Sequence, residues 1–238
     1  MTVFPATRLS VVERTRSGDE ETRRVALAAI IEAYWKPAYK YLRLKWSLDA
    51  EAAADLTQEF FASALEKEVV EKYDPARARF RTYLRLCLDR FASNARKAAR
   101  RQKRGGGVTL VPLDFETAEG EIATLEPAVD ADVDELFYRE WVRALLERSV
   151  ADLKRHAGEI DRPEMFEVFS RYDLIEDGER PTYTAIASAL NLTAATVTNH
   201  LAAMRRQFRK IVLERLRELT SSDEEWEAEA ARLLGSRR

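Results

Sequence analysis

Apolar residues recur along this chain at threes and fours, and no segment alternates long enough to require a sheet, so the pattern predicts helices throughout. About twenty residues (1–20) without a sustained period read as an N-terminal arm or a short first helix. Val25, Ala28, Ala29, Ile31, Tyr34 and Trp35 then set the first long helical face. Pro37 is expected to break or kink that helix, with Ala38, Tyr41, Leu42 and Leu44 continuing on a second piece. Asp49 stands where a capping carboxylate belongs, ahead of a helix with Ala53, Leu56, Phe60, Phe61, Ala64 and Leu65 along one side. Beyond Asp74-Pro75, the residues Phe80, Tyr83, Leu84, Cys87, Leu88, Phe91, Ala92, Ala95 and Ala98 form a further stripe, which stops at the triplet Gly105 to Gly107.

From Val108 to about Asp134 the period dissolves among Pro112, Gly120, Pro127 and many acids, which predicts a flexible linker with little regular structure. Helices resume with Leu136, Phe137, Trp141, Leu145, Leu146 and Leu153, and again with Met165, Phe166 and Phe169. The expected fold is all-α: two small helical domains, 21–107 and 135–219, joined by the acidic linker 108–134 and followed by a tail, 220–238. Trp35 and Trp141 read as core residues. In the tail, Trp226, Leu233 and Leu234 suit a short amphipathic piece that either folds back or meets a partner.

Charge sharpens this picture. The formal net charge of the 238 residues is only -2, yet Arg77 to Arg104 holds eleven Arg or Lys against the single acid Asp89. Asp114 to Glu140 holds ten Asp or Glu against the single base Arg139. Such segregation points to a polyanion-facing surface more than to a solvated one. The single cysteine, Cys87, excludes an internal disulfide framework and a thiolate metal cluster. His156 and His200 lie too far apart in sequence to suggest a site. No nucleotide loop, no His-Asp-Ser arrangement and no convergent ligand spacing is present, so no enzyme, cofactor or metal is expected. The absence of a signal-type apolar region and of a run of roughly 20 apolar residues leads to the expectation of a cytoplasmic protein away from membranes.

The stretch Tyr183 to Lys210 has the grammar of a helix-turn-helix. Ile186, Ala187 and Leu190 face a core, Asn191 suits a left-handed turn, and Thr193 can cap a second helix that sends Val197 and Leu201 inward. The exposed start of that helix, with Thr196, Thr198, Asn199 and His200, suits the major groove. Arg205 and Arg206, with Arg209 and Lys210, suit the phosphate backbone.

In order and spacing the chain resembles a bacterial sigma factor of the extracytoplasmic-function (ECF) type, over roughly Glu21 to Leu219. ADLTQEFFASALE, Ala54 to Glu66, looks like the helix that binds core RNA polymerase, and the resemblance makes Asp55, Gln58, Glu59 and Phe60 contacts to the clamp helices of the largest subunit. PARARFRTYLRLCLDRFASNARKAARRQKRGGG resembles the segment that melts and reads the promoter -10 element. This implies Arg90 and Asn94 beside a flipped base, and Arg96, Lys97, Arg100 and Arg101 along phosphates, joined by Lys103 and Arg104. Tyr83 serves equally well as core or as stacking platform. The helix-turn-helix would read the -35 element and pack on the flap of the other large subunit, and the acidic linker would run into the RNA exit channel. Two other readings are a helix-turn-helix regulator acting without core polymerase and a helical protein-interaction scaffold. Binding to core polymerase separates them.

One departure stands out. Where the family carries Asp-Ala-Glu-Asp before the Leu-x-Gln-Glu run, this chain has Ala52, Ala53, Ala54 and Asp55. Some family members lacking these acids are linked to serine/threonine kinases, and phosphate on Thr57 or Ser63, with Ser47 farther off, would restore the charge. The alternative is that Glu51 and Glu59 suffice and that alanine simply favours the helix. The resemblance further admits an anti-sigma protein as a partner.

Overall fold

The computed structural model describes residues 10–66, 70, 72–99, 113–123, 133–175 and 178–235, and among them all regular structure is helical. In chain order the helices are α1 (Val11–Arg14), α2 (Glu20–Lys45), α3 (Ala50–Glu66), α4 (Phe80–Ala99), α5 (Phe115–Ala123), α6 (Val133–Glu159), α7 (Pro163–Asp173), α8 (Tyr183–Leu190), α9 (Ala194–Leu219) and α10 (Asp223–Leu234). They form two compact units: Met1–Ala144 with Leu216–Arg238, and Leu145–Arg215.

The first unit is built around α2. Ala26, Ile30, Tyr34, Ala38, Tyr41 and Leu42 are all buried, and the edge of the Tyr34 ring meets Phe80 of α4 at 5.7 Å while its face stacks on Trp141 of α6 at 6.4 Å. Tyr41 meets Phe137 of α6 at 5.6 Å. These rings draw the first turns of α6 into the first unit, so the domain boundary expected at 135 falls near 144 instead. Pro37 does not break α2, which is continuous from Glu20 to Lys45. The buried side chains on both sides of the proline outweigh the backbone hydrogen bond it cannot donate. Within the expected arm, α1 is a single turn held by a capping box: Ser10 Oγ accepts from Glu13 N at 3.2 Å, and Glu13 Oε2 from Ser10 N at 2.8 Å.

The expected flexible linker is corrected in its middle. Phe115–Ala123 is a helix laid on α2, with the Phe115 ring 5.4 Å from Trp35 and 4.9 Å from Tyr39. Its acids face the bases of α2. Glu119 accepts from Tyr39 Oη at 2.7 Å and from Arg43 Nη2 at 2.9 Å, and Glu121 pairs with both Lys36 and Lys40. Lys40, fully buried, also reaches Glu140 of α6 at 2.5 Å. The Arg43 hydrogen bond is the main reason that the Glu119 carboxyl sits below its ordinary value. Burial alone would raise Glu121, but the two lysines together overcome it and hold that carboxyl low as well.

The tail folds back. Ser222 caps α10, Ser221 Oγ lies 2.9 Å from Tyr73 Oη, and Glu229, 1% exposed, places Oε1 at 2.5 Å from Arg79 and 2.8 Å from Arg81. The second unit has two small apolar clusters. Val168, Ile186, Ala187, Val197 and Leu201 hold the helix-turn-helix together; Leu153, Phe169, Met204 and Ile211 support it from below.

Candidate polymerase and nucleic-acid interface

Asp49 accepts from Ala52 N at 2.8 Å and so starts α3 as expected. Ala53, Thr57, Phe60 and Phe61 are buried. Asp55 and Glu59 are exposed on the opposite side, with Gln58 half-buried between them. On a helix of 3.6 residues per turn these three fall within about 100° of one another, and exposed Glu51 and Ala52 complete a face of about 120°. Phe60 is not part of that face. Its ring packs 5.1 Å from Phe61 and 5.7 Å from Phe91, so it supports α3 from beneath. Thr57 is likewise removed from the surface: it is 0% exposed and donates its hydroxyl to Ala53 O at 2.7 Å, which leaves a kinase no access to it in the folded chain. Ser63 is half-buried, and Ser47 is exposed.

On α4, Phe80, Leu84, Leu88 and Ala92 are buried, while Arg90, Asn94, Arg96 and Lys97 are exposed. Arg90, Asn94 and Lys97 lie within about 60° of one another around the helix, and Tyr83 falls on the same strip. Arg96 points about 100° away from Lys97 and belongs to a different face. Tyr83 is half-buried with its ring 5.3 Å from Tyr73, and desolvation, then the neighbouring Cys87, pushes its hydroxyl up to about 12. Desolvation also raises the Cys87 thiol, as suits its place on the apolar stripe. Arg100, Arg101, Lys103, Arg104 and the glycine triplet lie outside the described residues.

The lone acid of the basic stretch is an internal anchor. Asp89 accepts from Tyr41 Oη at 3.0 Å, Trp46 Nε1 at 3.1 Å and Arg85 Nη1 at 2.8 Å, which fixes the rotation of α4 against α2. Burial, the largest influence, pushes the Tyr41 hydroxyl up to about 12, so it remains a donor.

In the second unit, Asn191 adopts φ 53° and ψ 44° between α8 and α9, and Thr193 Oγ1 accepts from Thr196 N at 3.1 Å. Thr198, Asn199 and Arg206 are exposed on the outward side of α9. Thr196 and His200 are half-buried at its edge, and the Thr196 hydroxyl meets that of Thr193 at 2.8 Å. Arg205 is held by Asp173 through two hydrogen bonds of 2.8 Å and lies over the Tyr172 ring at 5.4 Å. The Asp173 hydrogen bonds raise its affinity for its proton. Any phosphate contact by Arg205 is therefore made from a guanidinium already fixed in direction.

Residues 30–103 match the family model for sigma-70 region 2. The matched stretch is about a third of the 238 residues. No curated protein and no solved structure gives a significant match. The region 2 match begins within α2 and spans α3 and α4, so it covers both the acidic face of α3 and the Arg90–Asn94–Lys97 strip. Among the described residues no helix is long and apolar enough to cross a membrane.

Several residues that shape these surfaces carried no local signal. Asp173 and Tyr172 reach Arg205 across 32 and 33 positions, Asp89 reaches Tyr41 and Trp46 across 48 and 43, and Glu229 reaches Arg79 across 150. The signal available was in retrospect a lone acid among bases, at Asp89.

Proposed function

We propose that the chain is an ECF-type sigma factor, a cytoplasmic subunit that binds core RNA polymerase and directs promoter recognition, melting and initiation. The observation that carries this reading is the region 2 match lying over two helices whose outward faces differ in sign. α3 presents Asp55, Gln58 and Glu59 to the polymerase clamp, and α4 presents Arg90, Asn94 and Lys97 to the non-template strand at the -10 element. An aromatic ring beside an amide and two cations suits an unstacked base held while its backbone is neutralised. The helix-turn-helix of the second unit reads the -35 element through Thr198, Asn199 and Arg206. With Thr57 sealed inside the unit, Ser63 is the hydroxyl on α3 whose phosphorylation would supply the charge that Ala52 and Ala54 omit.

In vitro transcription with added core polymerase over a promoter library tests the assignment. Initiation at a recurrent pair of elements, lost on Arg90→Ala/Asn94→Ala, is the expected result. Folded protein that binds duplex sequence-selectively but neither binds core nor starts transcription would replace this reading with a stand-alone regulator.

A further inference from the structure

A cavity of about 360 Å³ opens in the first unit where α4, α6 and α10 approach one another. Arg79, Arg81 and Arg85 line it from α4 and the residue before it, Glu135 and Tyr138 from α6, and Arg232 from α10. Four guanidiniums thus converge on one space, with one carboxylate in its wall. Three acids pair with them: Glu229 with Arg79 and Arg81, Asp89 with Arg85 at 2.8 Å, and Glu135 with Arg232 at 2.5 Å. The balance still favours an anion. A guanidinium carries five N–H donors, and the Glu229 pairs engage Nη1 of Arg79 and of Arg81, while the Glu135 pair engages Nη2 of Arg232.

The arginines are also held in place. The Tyr138 ring has the Arg81 guanidinium 4.6 Å and the Arg232 guanidinium 3.5 Å from its centroid. Fixed planar forks of this kind match the oxygens of phosphate or carboxylate, and several of them together exceed what one carboxylate or chloride can engage. The volume is of small-molecule size, and three helices bound it, which suits a compact group and not a duplex.

We propose that this cavity binds a small phosphorylated anion of diphosphate size, and that its occupancy fastens α10 to α4 through Arg232. The sigma-factor reading neither requires nor supplies this site, and the test uses neither polymerase nor promoter.

The full chain is titrated with sodium pyrophosphate at constant ionic strength and followed by calorimetry, with hydrogen exchange read over α10. Saturable one-to-one binding is expected, with slower exchange in α10. Arg79→Met and Arg232→Met should each weaken binding about tenfold or more, the scale of one lost charge-assisted contact. Their side chains are 40% and 41% exposed, and in Arg79→Met the more buried Arg81 still holds Glu229, so folding is retained and is checked by circular dichroism. The Arg232→Lys variant should recover part of the affinity. Absence of saturable heat, unchanged affinity in both methionine variants, or equal binding of sulfate overturns the proposal. Displacement of pyrophosphate by a short single-stranded oligonucleotide that binds more tightly through the same arginines also overturns it, in favour of a nucleic-acid track.

Discussion

At the scale of single residues, α3 separates what a side chain could do from what the fold allows. Thr57 and Ser63 are both hydroxyls on the same helix, yet one is sealed in the core and the other reaches the edge of the Asp55–Glu59 face. Thr57→Asp should therefore lower stability by several kcal/mol, because a carboxylate would be buried without a partner; Ser63→Asp should change it by about 0.5 kcal/mol or less. Denaturant melts of the two variants make the comparison. Ala52→Asp adds an acid to the first turn of α3, where the helix dipole favours it, on the side proposed to meet polymerase. A gain in core affinity of about two- to fivefold that shrinks with added salt is the expected result in a titration with core polymerase. An unchanged affinity would mean that Glu51 and Glu59 already suffice.

At the scale of elements, the caps and turns were legible because their chemistry is local. Asp49, Asn191 and Thr193 each act within a few residues of their own position, and each was assigned its role from sequence. Asn191 should tolerate Gly, while Asn191→Ala should cost about 1–2 kcal/mol by placing an ordinary side chain in the left-handed region, as thermal unfolding would report. The helix α5 was not legible, and for α10 an amphipathic piece was legible but not the surface it folds onto. Glu119 and Glu229 look solvated in one dimension and find their cations across 76 and 150 positions, and Pro37 misled because tertiary burial overrode its local effect. The hold of α5 on α2 also sets a pH dependence. Glu119 and Glu121 are depressed in the folded chain, so their contribution is full above the unfolded glutamate value of about 4.3 and fades as pH falls through the lower folded values. Hydrogen exchange in α5, relative to the intrinsic rate at each pH, should accelerate below about pH 4 before α3 and α4 respond, and Glu121→Gln should speed it already at neutral pH while flattening its pH dependence.

At the scale of the whole molecule, the family match and the folding unit do not coincide. The match ends at residue 103, and the sequence pattern suggested a domain closed at 107, yet the rings of Tyr34 and Tyr41 meet Trp141 and Phe137. A fragment of residues 1–107 should unfold at lower temperature and with a broader transition than the full chain, since it exposes aromatic surface that α6 covers and leaves Lys40 without either of its carboxylates. A calorimetric scan of both proteins decides this. Tyr73 shows the same closure from the other direction: its carbonyl accepts from Arg16 and its hydroxyl meets Ser221. Because residues 145–215 are interposed within the first unit, translation delivers that unit in two instalments. A ribosome paused between codons 216 and 229 holds a nascent chain in which the second unit's residues are complete while Arg79 and Arg81 still await Glu229. The N-terminal half of this protein is therefore made first and finished last.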